Sequence, residues 1–212
     1  MSSVSVLIAG LQCALEWSSG LRLEHGRTSA LLAQVRRLNA EVYGDELGQE
    51  PNEAAHAAGW VDETQTVLVR RGDHVVGMVG LTLPGSQTSL EKSCDLSSWL
   101  AAHRHEAVEV RRLAVSRAAR RGAAWPLLAL AILRFFVEHR ARFAVFSAVS
   151  TMKATYEEFG ARTIGPAFRK GTCDYSPMLV RADAWSAFGI LKSAAPRMMR
   201  KVFAPRAPAR VH

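Results

Sequence analysis

Residues 109–130 read EVRRLAVSRAARRGAAWPLLAL, and this stretch says most about the fold of the chain. Its first part alternates apolar and charged residues, which predicts a strand from Glu106 to Val115. The small and basic segment 116–122 follows, and the apolar stretch from Ala124 to Arg140 is typical of a long helix. Pro126 fits the first turn of that helix, where a missing amide hydrogen costs nothing. The predicted order is therefore strand, basic loop and helix.

The loop in this stretch is suited to binding phosphate groups. Small residues let a backbone approach a ligand closely, and the N-terminus of the following helix presents unpaired amide hydrogens and the positive end of the helix dipole. Arg120 and Arg121 add fixed positive charge beside them. The pattern predicts a site for an extended phosphorylated molecule such as coenzyme A or a phosphopantetheine arm. A basic strand-to-helix turn without a ligand fits the same composition.

Hydrophobic periodicity predicts a sheet flanked by helices around this stretch. Apolar residues at three- and four-residue steps indicate a helix from Ser29 to Tyr43, and two β-branched runs on either side of Gly72 and Asp73 indicate an antiparallel hairpin. Further predicted elements are a short helix between Ser86 and His105, a strand at Phe143–Val149, a short helix at Met152–Phe159 and a strand at Pro177–Val180. This order indicates an α/β or α+β fold. We expect a single domain over residues 29–181, an N-terminal segment over residues 1–28, and a basic C-terminal helix and tail over residues 182–212.

The composition predicts a soluble, cytoplasmic protein with acidic partners. The three cysteines have neither the spacing of a zinc site nor the density of a disulfide framework, so we expect no metal and a reducing compartment. The apolar stretch near the N-terminus lacks the features of a signal peptide, and no segment reaches the roughly 20 apolar residues that cross a bilayer. The net charge of +8 favours phosphates, an acidic carrier protein, anionic lipid or nucleic acid. The basic tail could contact a membrane surface or form a solvated surface.

Two motifs resemble the GNAT superfamily of acyltransferases. Leu113-Ala114-Val115 followed by Arg120-Arg121-Gly122-Ala123-Ala124 resembles its acyl-thioester loop, usually Arg/Gln-x-x-Gly-x-Gly/Ala, although Ala119 stands at the leading position and Arg120 would substitute for it. Tyr156-Glu157-Glu158-Phe159-Gly160 resembles the segment whose tyrosine protonates the leaving thiolate; packing is the alternative role of Tyr156. The resemblance implies a GNAT-like central mixed, mostly antiparallel sheet flanked by helices. It also implies an acyl-CoA or acyl-phosphopantetheine donor bound along Arg112, Leu113, Ala114, Val115, Arg120, Arg121, Gly122, Ala123 and Ala124.

Two further fragments resemble the N-acyl amino acid synthases and acyl-homoserine-lactone synthases of that superfamily. Glu109-Val110-Arg111-Arg112-Leu113 is similar to their Glu-x-Ser-Arg-Phe/Leu strand. Arg36 or Arg37 followed by Val42-Tyr43-Gly44-Asp45-Glu46-Leu47-Gly48 is similar to a segment on their first helix. Arg36, Arg37, Asp45 and Glu46 are therefore candidates for binding the acceptor, with a solvated loop as the alternative for the two acids.

The chemistry of amine acylation then assigns the remaining roles. An ammonium must lose a proton before its nitrogen can attack a thioester, and Glu109 is the candidate base; its alternative role is a salt bridge to Arg111 or Arg112. We expect an N-acyltransferase that moves a long acyl group from acyl-CoA or an acyl-carrier protein to a small-molecule amine such as an amino acid. The alternative is a noncatalytic GNAT-like module that binds an acyl carrier or nucleic acid. The sequence has no zinc-finger spacing and no aromatic RNA-binding motif, which argues against nucleic acid.

Overall fold

The computed structural model describes residues 3–25, 29–48, 65–158 and 160–182, and the structural statements below concern these residues. The predicted helix and basic tail beyond residue 182 lie outside them.

One mixed sheet forms the centre of the molecule. Eight strands of the described residues pair in the order β1-β2-β3-β4-β5-β8-β6, and β7 pairs with β8. β4 and β5 run parallel and are joined by a helical crossover, whereas the other paired strands are antiparallel. This confirms the predicted mixed, mostly antiparallel sheet. The strands are β1 Leu21–His25, β2 Gln65–Arg71, β3 His74–Leu81, β4 Ala107–Val115, β5 Phe143–Val149, β6 Arg162–Thr163, β7 Phe168–Lys170 and β8 Cys173–Arg181.

Helices cover both faces of this sheet, as the alternation of side chains along the strands requires. Val67 and Val69 of β2 join the cluster under α4, whereas Leu68 joins the opposite cluster under α2. A third cluster, which includes Leu100 of α3, covers β5 and β8. The helices are α1 Ser3–Ser19, α2 Ser29–Asn39, α3 Ser97–His103, α4 Ala124–His139 and α5 Lys153–Glu158.

The crossover helix α4 is the main packing element on its face. Leu127, Leu128 and Ile132 are fully buried, and each such side chain stabilises the fold by about 1.5–3 kcal/mol relative to an exposed one. Arg140 ends the helix in the left-handed region, with φ 52°, and its N–H group contacts the carbonyl of Val137 at 3.4 Å. The predicted helix from Ala124 to Arg140 therefore matches α4 to within one residue.

Residues 3–25 extend the same sheet and core. Ile8 and Leu15 of α1 are buried in the cluster under α4, and β1 pairs with β2 from Leu21↔Arg71 to His25↔Val67. Sequence periodicity did not predict β1, because five residues reading LRLEH carry too little pattern. No helix among the described residues is long and apolar enough to cross a membrane, and no metal-binding group of three His, Cys, Asp or Glu side chains occurs among them.

Candidate active site

The sheet opens between β4 and β5. These strands pair only from Ala107↔Phe143 to Glu109↔Val145, after which β4 stays with β3 and β5 stays with β8. A bulge accompanies the divergence: the β3–β4 register shifts between Met78 and Gly80, and Arg112 has φ 47°. Backbone groups of β4 beyond Glu109 that face β5 therefore have no partner in β5. A free strand edge inside a sheet can bind an extended ligand through its backbone hydrogen bonds.

The bulge is held from one face by residues 39–46, the end of α2 and the π-helical turn Ala40–Glu46. Asn39 is fully buried and its Oδ1 accepts a hydrogen bond from Nη1 of Arg112 at 3.1 Å. The Tyr43 hydroxyl donates to the carbonyl of Leu113 at 3.3 Å, and the Arg112 guanidinium lies 5.8 Å from the Tyr43 ring centroid. These contacts fix the backbone of Arg112–Leu113, where a non-glycine residue occupies the left-handed region.

Two of the three tyrosines of the chain border this opening, Tyr43 on the β4 side and Tyr156 on the β5 side. Burial raises the pKa of Tyr43, and Tyr156 raises it further, while Arg112 lowers it and Tyr175 has a smaller raising effect. Tyr156 packs edge-on against Phe146 of β5, with ring centroids 5.0 Å apart, and burial raises its pKa too. Tyr156 is therefore protonated at neutral pH and its hydroxyl can donate a proton.

The loop between β4 and α4 contains a 3-10 turn at Arg117–Ala119 and further backbone hydrogen bonds. The N–H of Ala119 donates to Ser116 O at 2.8 Å and the N–H of Gly122 donates to Ala119 O at 3.0 Å. No side chain caps the N-terminus of α4 at Ala123. A Cβ at Gly122 would lie 3.4 Å from Ala119 O, in ordinary contact, and Gly122 has no positive φ. The fold thus tolerates alanine at this position.

The two arginines of the loop differ in their surroundings. Nε of Arg120 donates to the carbonyl of Val115 at 3.0 Å, and its Nη2 lies 2.6 Å from Oε2 of Glu46. Arg121 is exposed. The structure therefore brings Arg120, a candidate for binding the acyl donor, into direct contact with Glu46, a candidate for binding the acceptor amine.

Glu109 is buried and strongly anchored. Its Oε1 accepts hydrogen bonds from the Ser89 hydroxyl at 2.5 Å and the Leu90 N–H at 3.2 Å, and its Oε2 accepts from the Ser89 N–H at 2.8 Å. Burial raises its pKa, while the Ser89 hydrogen bonds and Arg111, at 3.7 Å, act in the opposite direction. A carboxylate has about four acceptor sites, so one remains for a proton. The salt bridge to Arg111 considered from the sequence is present, and a catalytic role for Glu109 stays a prediction.

Glu109 and Tyr156 lie on opposite faces of the sheet. Glu109 pairs with Val145, whose side chain belongs to the α3 cluster, whereas Tyr156 packs with Phe146 on the α4 face. The opening between β4 and β5 connects the two faces. One end of a ligand that crosses the sheet at this opening would therefore lie near Glu109, and the other end would lie near Tyr156.

The remaining candidate acceptor residues differ in position. Arg36 and Arg37 are exposed on the solvent side of α2, whose buried side carries Val35 and Leu38, and the structure does not bring them to the opening. Asp45 is exposed beside Glu46 at the end of the π-helical turn. Acceptor binding by these four residues stays a prediction.

A contact that the sequence did not predict joins the two sides of the opening. The Thr172 hydroxyl lies 3.1 Å from the carbonyls of both Leu47 and Gly48, and the Cys173 thiol donates to Leu47 O at 2.9 Å. A Cβ on Gly48, which has φ +62°, would lie 2.6 Å from Oγ1 of Thr172. Asn39 was also missed, but its position among apolar residues of a periodic helix was a usable signal.

No protein-family model and no curated protein sequence matches the chain. Solved structures do. FeeM, an N-acyl amino acid synthase from uncultured soil microbes, has a TM-score of 0.64 at 18% identity, over 78% of this chain and 92% of FeeM. An acyl-CoA N-acyltransferase from Pseudomonas aeruginosa has a TM-score of 0.57 at 17% identity, over 75% and 97% of the two chains. BjaI, a CoA-dependent acyl-homoserine lactone synthase, has a TM-score of 0.58 at 18% identity, over 81% and 83%. The chain therefore has a GNAT-like fold, and the structures that it resembles include an N-acyl amino acid synthase and an acyl-homoserine lactone synthase.

Proposed function

We propose that this chain is an N-acyltransferase that moves an acyl group from an acyl thioester to the amine of a small molecule. The observation that carries the proposal is the opening between β4 and β5, which combines a free strand edge, a basic loop at an uncapped helix N-terminus and the half-buried phenol of Tyr156. Structural similarity to acyltransferases that use thioesters and amines supports it.

The free edge of β4 suits the amide-containing arm of the donor. A phosphopantetheine arm carries amide groups that can add to a strand edge in the manner of a short β-strand. Its phosphates would then reach Arg120, Arg121 and the first turn of α4, which supply positive charge and amide hydrogens beside Gly122. The thioester would lie near the bulge, and the N–H groups of residues 113–115 could polarise its carbonyl.

The proposed reaction needs one base and one acid. The acceptor ammonium loses a proton to Glu109, directly or through water, and the free amine attacks the thioester carbonyl to form the C–N bond. The C–S bond then breaks, and the leaving thiolate takes the phenolic proton of Tyr156. The nitrogen loses its second proton as the amide forms, and this proton restores the phenol of Tyr156 through water. Burial raises the pKa of Glu109, which makes its carboxylate a stronger base. The positions of Glu109 and Tyr156 on two faces of the sheet suit a thioester that crosses the opening.

The proposal also specifies the acyl donor, the acceptor amine and the cellular location. BjaI is a CoA-dependent enzyme, which supports acyl-CoA as donor, and the net charge of +8 suits an acidic acyl-carrier protein as a second donor. FeeM is an N-acyl amino acid synthase, which supports an amino acid as acceptor. A long acyl chain is a further part of the proposal that rests on the sequence motifs. We also propose a cytoplasmic location, with peripheral membrane contact through the basic tail.

Mass spectrometry of lipid extracts tests this proposal. Cells that overproduce the chain should accumulate an N-acyl amine, such as a long-chain N-acyl amino acid, that names donor and acceptor together. Cells that produce Tyr156→Phe at the same level serve as the control and should accumulate less. If no new acylated amine appears, and the purified chain releases no thiol from acyl-CoA or acyl-carrier protein in the presence of mixed amino acids, the noncatalytic alternative replaces the enzyme.

A further inference from the structure

The ion pair between Glu46 and Arg120 joins two parts of the candidate active site that the sequence assigned to different substrates. The Arg120 guanidinium is held in a fork: Nε donates to the last carbonyl of β4, Val115 O, at 3.0 Å, and Nη2 lies 2.6 Å from Glu46 Oε2. Glu46 ends the π-helical turn that braces the bulge, and Arg120 lies in the loop before α4. The negative charge of Glu46, which suits an acceptor ammonium, thus neutralises the positive charge of Arg120, which suits the phosphates of an acyl donor.

A second acidic side chain of the same turn contacts the same loop. Oε1 of Glu41 accepts a hydrogen bond from the backbone N–H of Arg117 at 3.3 Å. Backbone N–H groups and arginine side chains of a loop before a helix are the groups that phosphate oxygens use. The two carboxylates therefore stand where oxygens of an anionic ligand would stand, and they act as an internal substitute for it.

We propose that Glu46 serves both substrates in turn. Before the donor binds, Glu46 holds Arg120; when donor phosphates take Arg120, Glu46 is released and binds the ammonium of the acceptor. Donor phosphates at the loop therefore strengthen binding of the acceptor, which is a positively charged amine. This inference rests on the proposed function, because it needs a phosphate-bearing donor at the loop.

The strength of the ion pair suits such an exchange. The side chains of Arg120 and Glu46 are 41% and 29% exposed, so solvent screens their attraction. A partly exposed pair of this kind shifts an equilibrium by about two- to five-fold. The pyrophosphate of coenzyme A carries two negative charges against one on a carboxylate, so it can displace Glu46 from Arg120. In the absence of the donor, the pair weakens binding of an amine to Glu46.

Binding of coenzyme A to the full chain, measured by calorimetry, tests the competition. Glu46→Gln removes the internal competitor and should tighten coenzyme A binding by about two- to five-fold. Asp45→Asn removes the same charge one residue away, and Asp45 forms no ion pair among the described residues, so it is the matched control and should change the affinity by less. In an Arg120→Gln background, Glu46→Gln should have no further effect.

Hydrogen exchange gives an independent readout of the release. In the wild type, coenzyme A should speed exchange of backbone amides in residues 40–48, because the turn loses its contact with the loop. Glu46→Gln should show the faster exchange without coenzyme A, and Asp45→Asn should behave as the wild type does.

The outcomes separate this inference from the proposed function. If coenzyme A binds, but Glu46→Gln and Asp45→Asn change the affinity equally, Glu46 does not compete and the inference fails while the donor site stands. Slower or unchanged exchange in residues 40–48 with coenzyme A bound also overturns it. If coenzyme A binds to neither the wild type nor the variants, the proposed donor site and the inference fail together.

Discussion

A carboxylate placed at Gly122 is expected to block the donor loop without harming the fold. Gly122 is exposed and lies two residues before α4, and an added Cβ would meet Ala119 O at an ordinary 3.4 Å. Surface substitutions of this kind change the free energy of unfolding by about 0.5 kcal/mol or less. Gly122→Asp therefore adds one negative charge at the position where donor phosphates are proposed to lie.

The size of the effect follows from the charges. Two unit charges about 4 Å apart repel by about 1 kcal/mol in bulk water and by about 4 kcal/mol near a protein surface. Because Gly122 is exposed, we expect the lower part of that range, about 1–2 kcal/mol. The dissociation constant of coenzyme A should rise roughly five- to thirty-fold.

Calorimetry with coenzyme A measures this change, and urea unfolding checks that the variant is folded. Gly122→Ala is the matched control, because it adds the Cβ without the charge. A loss of affinity with Gly122→Asp and near wild-type affinity with Gly122→Ala would support electrostatic blockade. Wild-type affinity for Gly122→Asp would refute the assignment of this loop to the donor. An equal loss in both variants would show that close backbone approach, and not charge, governs binding.

Three further predictions address the acid, the buried carboxyl and the choice of donor. Tyr156→Phe keeps the ring packed on Phe146 and should lower kcat about a hundredfold or more with little change in donor affinity. Steady-state kinetics that match the wild type would leave Tyr156 a packing residue. Folding raises the pKa of Glu109, so the folded protein binds the proton of this carboxyl more tightly than the unfolded chain does. The stabilisation that this proton gives to the fold is present below the ordinary pKa of 4.5 and is lost as pH rises through the pKa of the folded state. The free energy of unfolding of Glu109→Gln relative to the wild type should therefore increase as pH rises above 4.5, and urea titrations that show a constant difference would contradict this. Neutralising Arg120 and Arg121 together, as glutamines, should slow the reaction with acyl-carrier protein more than that with acyl-CoA, and raising salt should mimic it by screening. Equal salt sensitivity of both donors, with acyl-CoA faster, would remove the carrier protein from the proposal.

Local patterns in the sequence predicted most of the elements. The alternation before Val115, the small basic loop and the apolar run after Ala124 specify strand, loop and helix through neighbouring residues alone. The helix that begins at Ser29 was also predicted, although its last turn is π-helical from Ala40 to Glu46. Very short strands such as β1 and β6 were missed, because two to five residues carry little periodicity.

The candidate site depended on pairings between distant parts of the chain. Motif resemblance identified Tyr156 and the loop around Gly122, but it could not show that Tyr156 lies near Tyr43. Nor could it show that Glu46 pairs with Arg120, which lies 74 residues later by number.

Each residue type and local period was thus determined by the sequence itself, as were the net charge and the composition of the donor loop. Only the tertiary structure decided where β4 leaves β5, which faces Glu109 and Tyr156 occupy, and which acid neutralises which arginine. The physical reason is that helical and strand periods arise from adjacent residues, whereas strand register and ion pairing depend on which distant segments pack together.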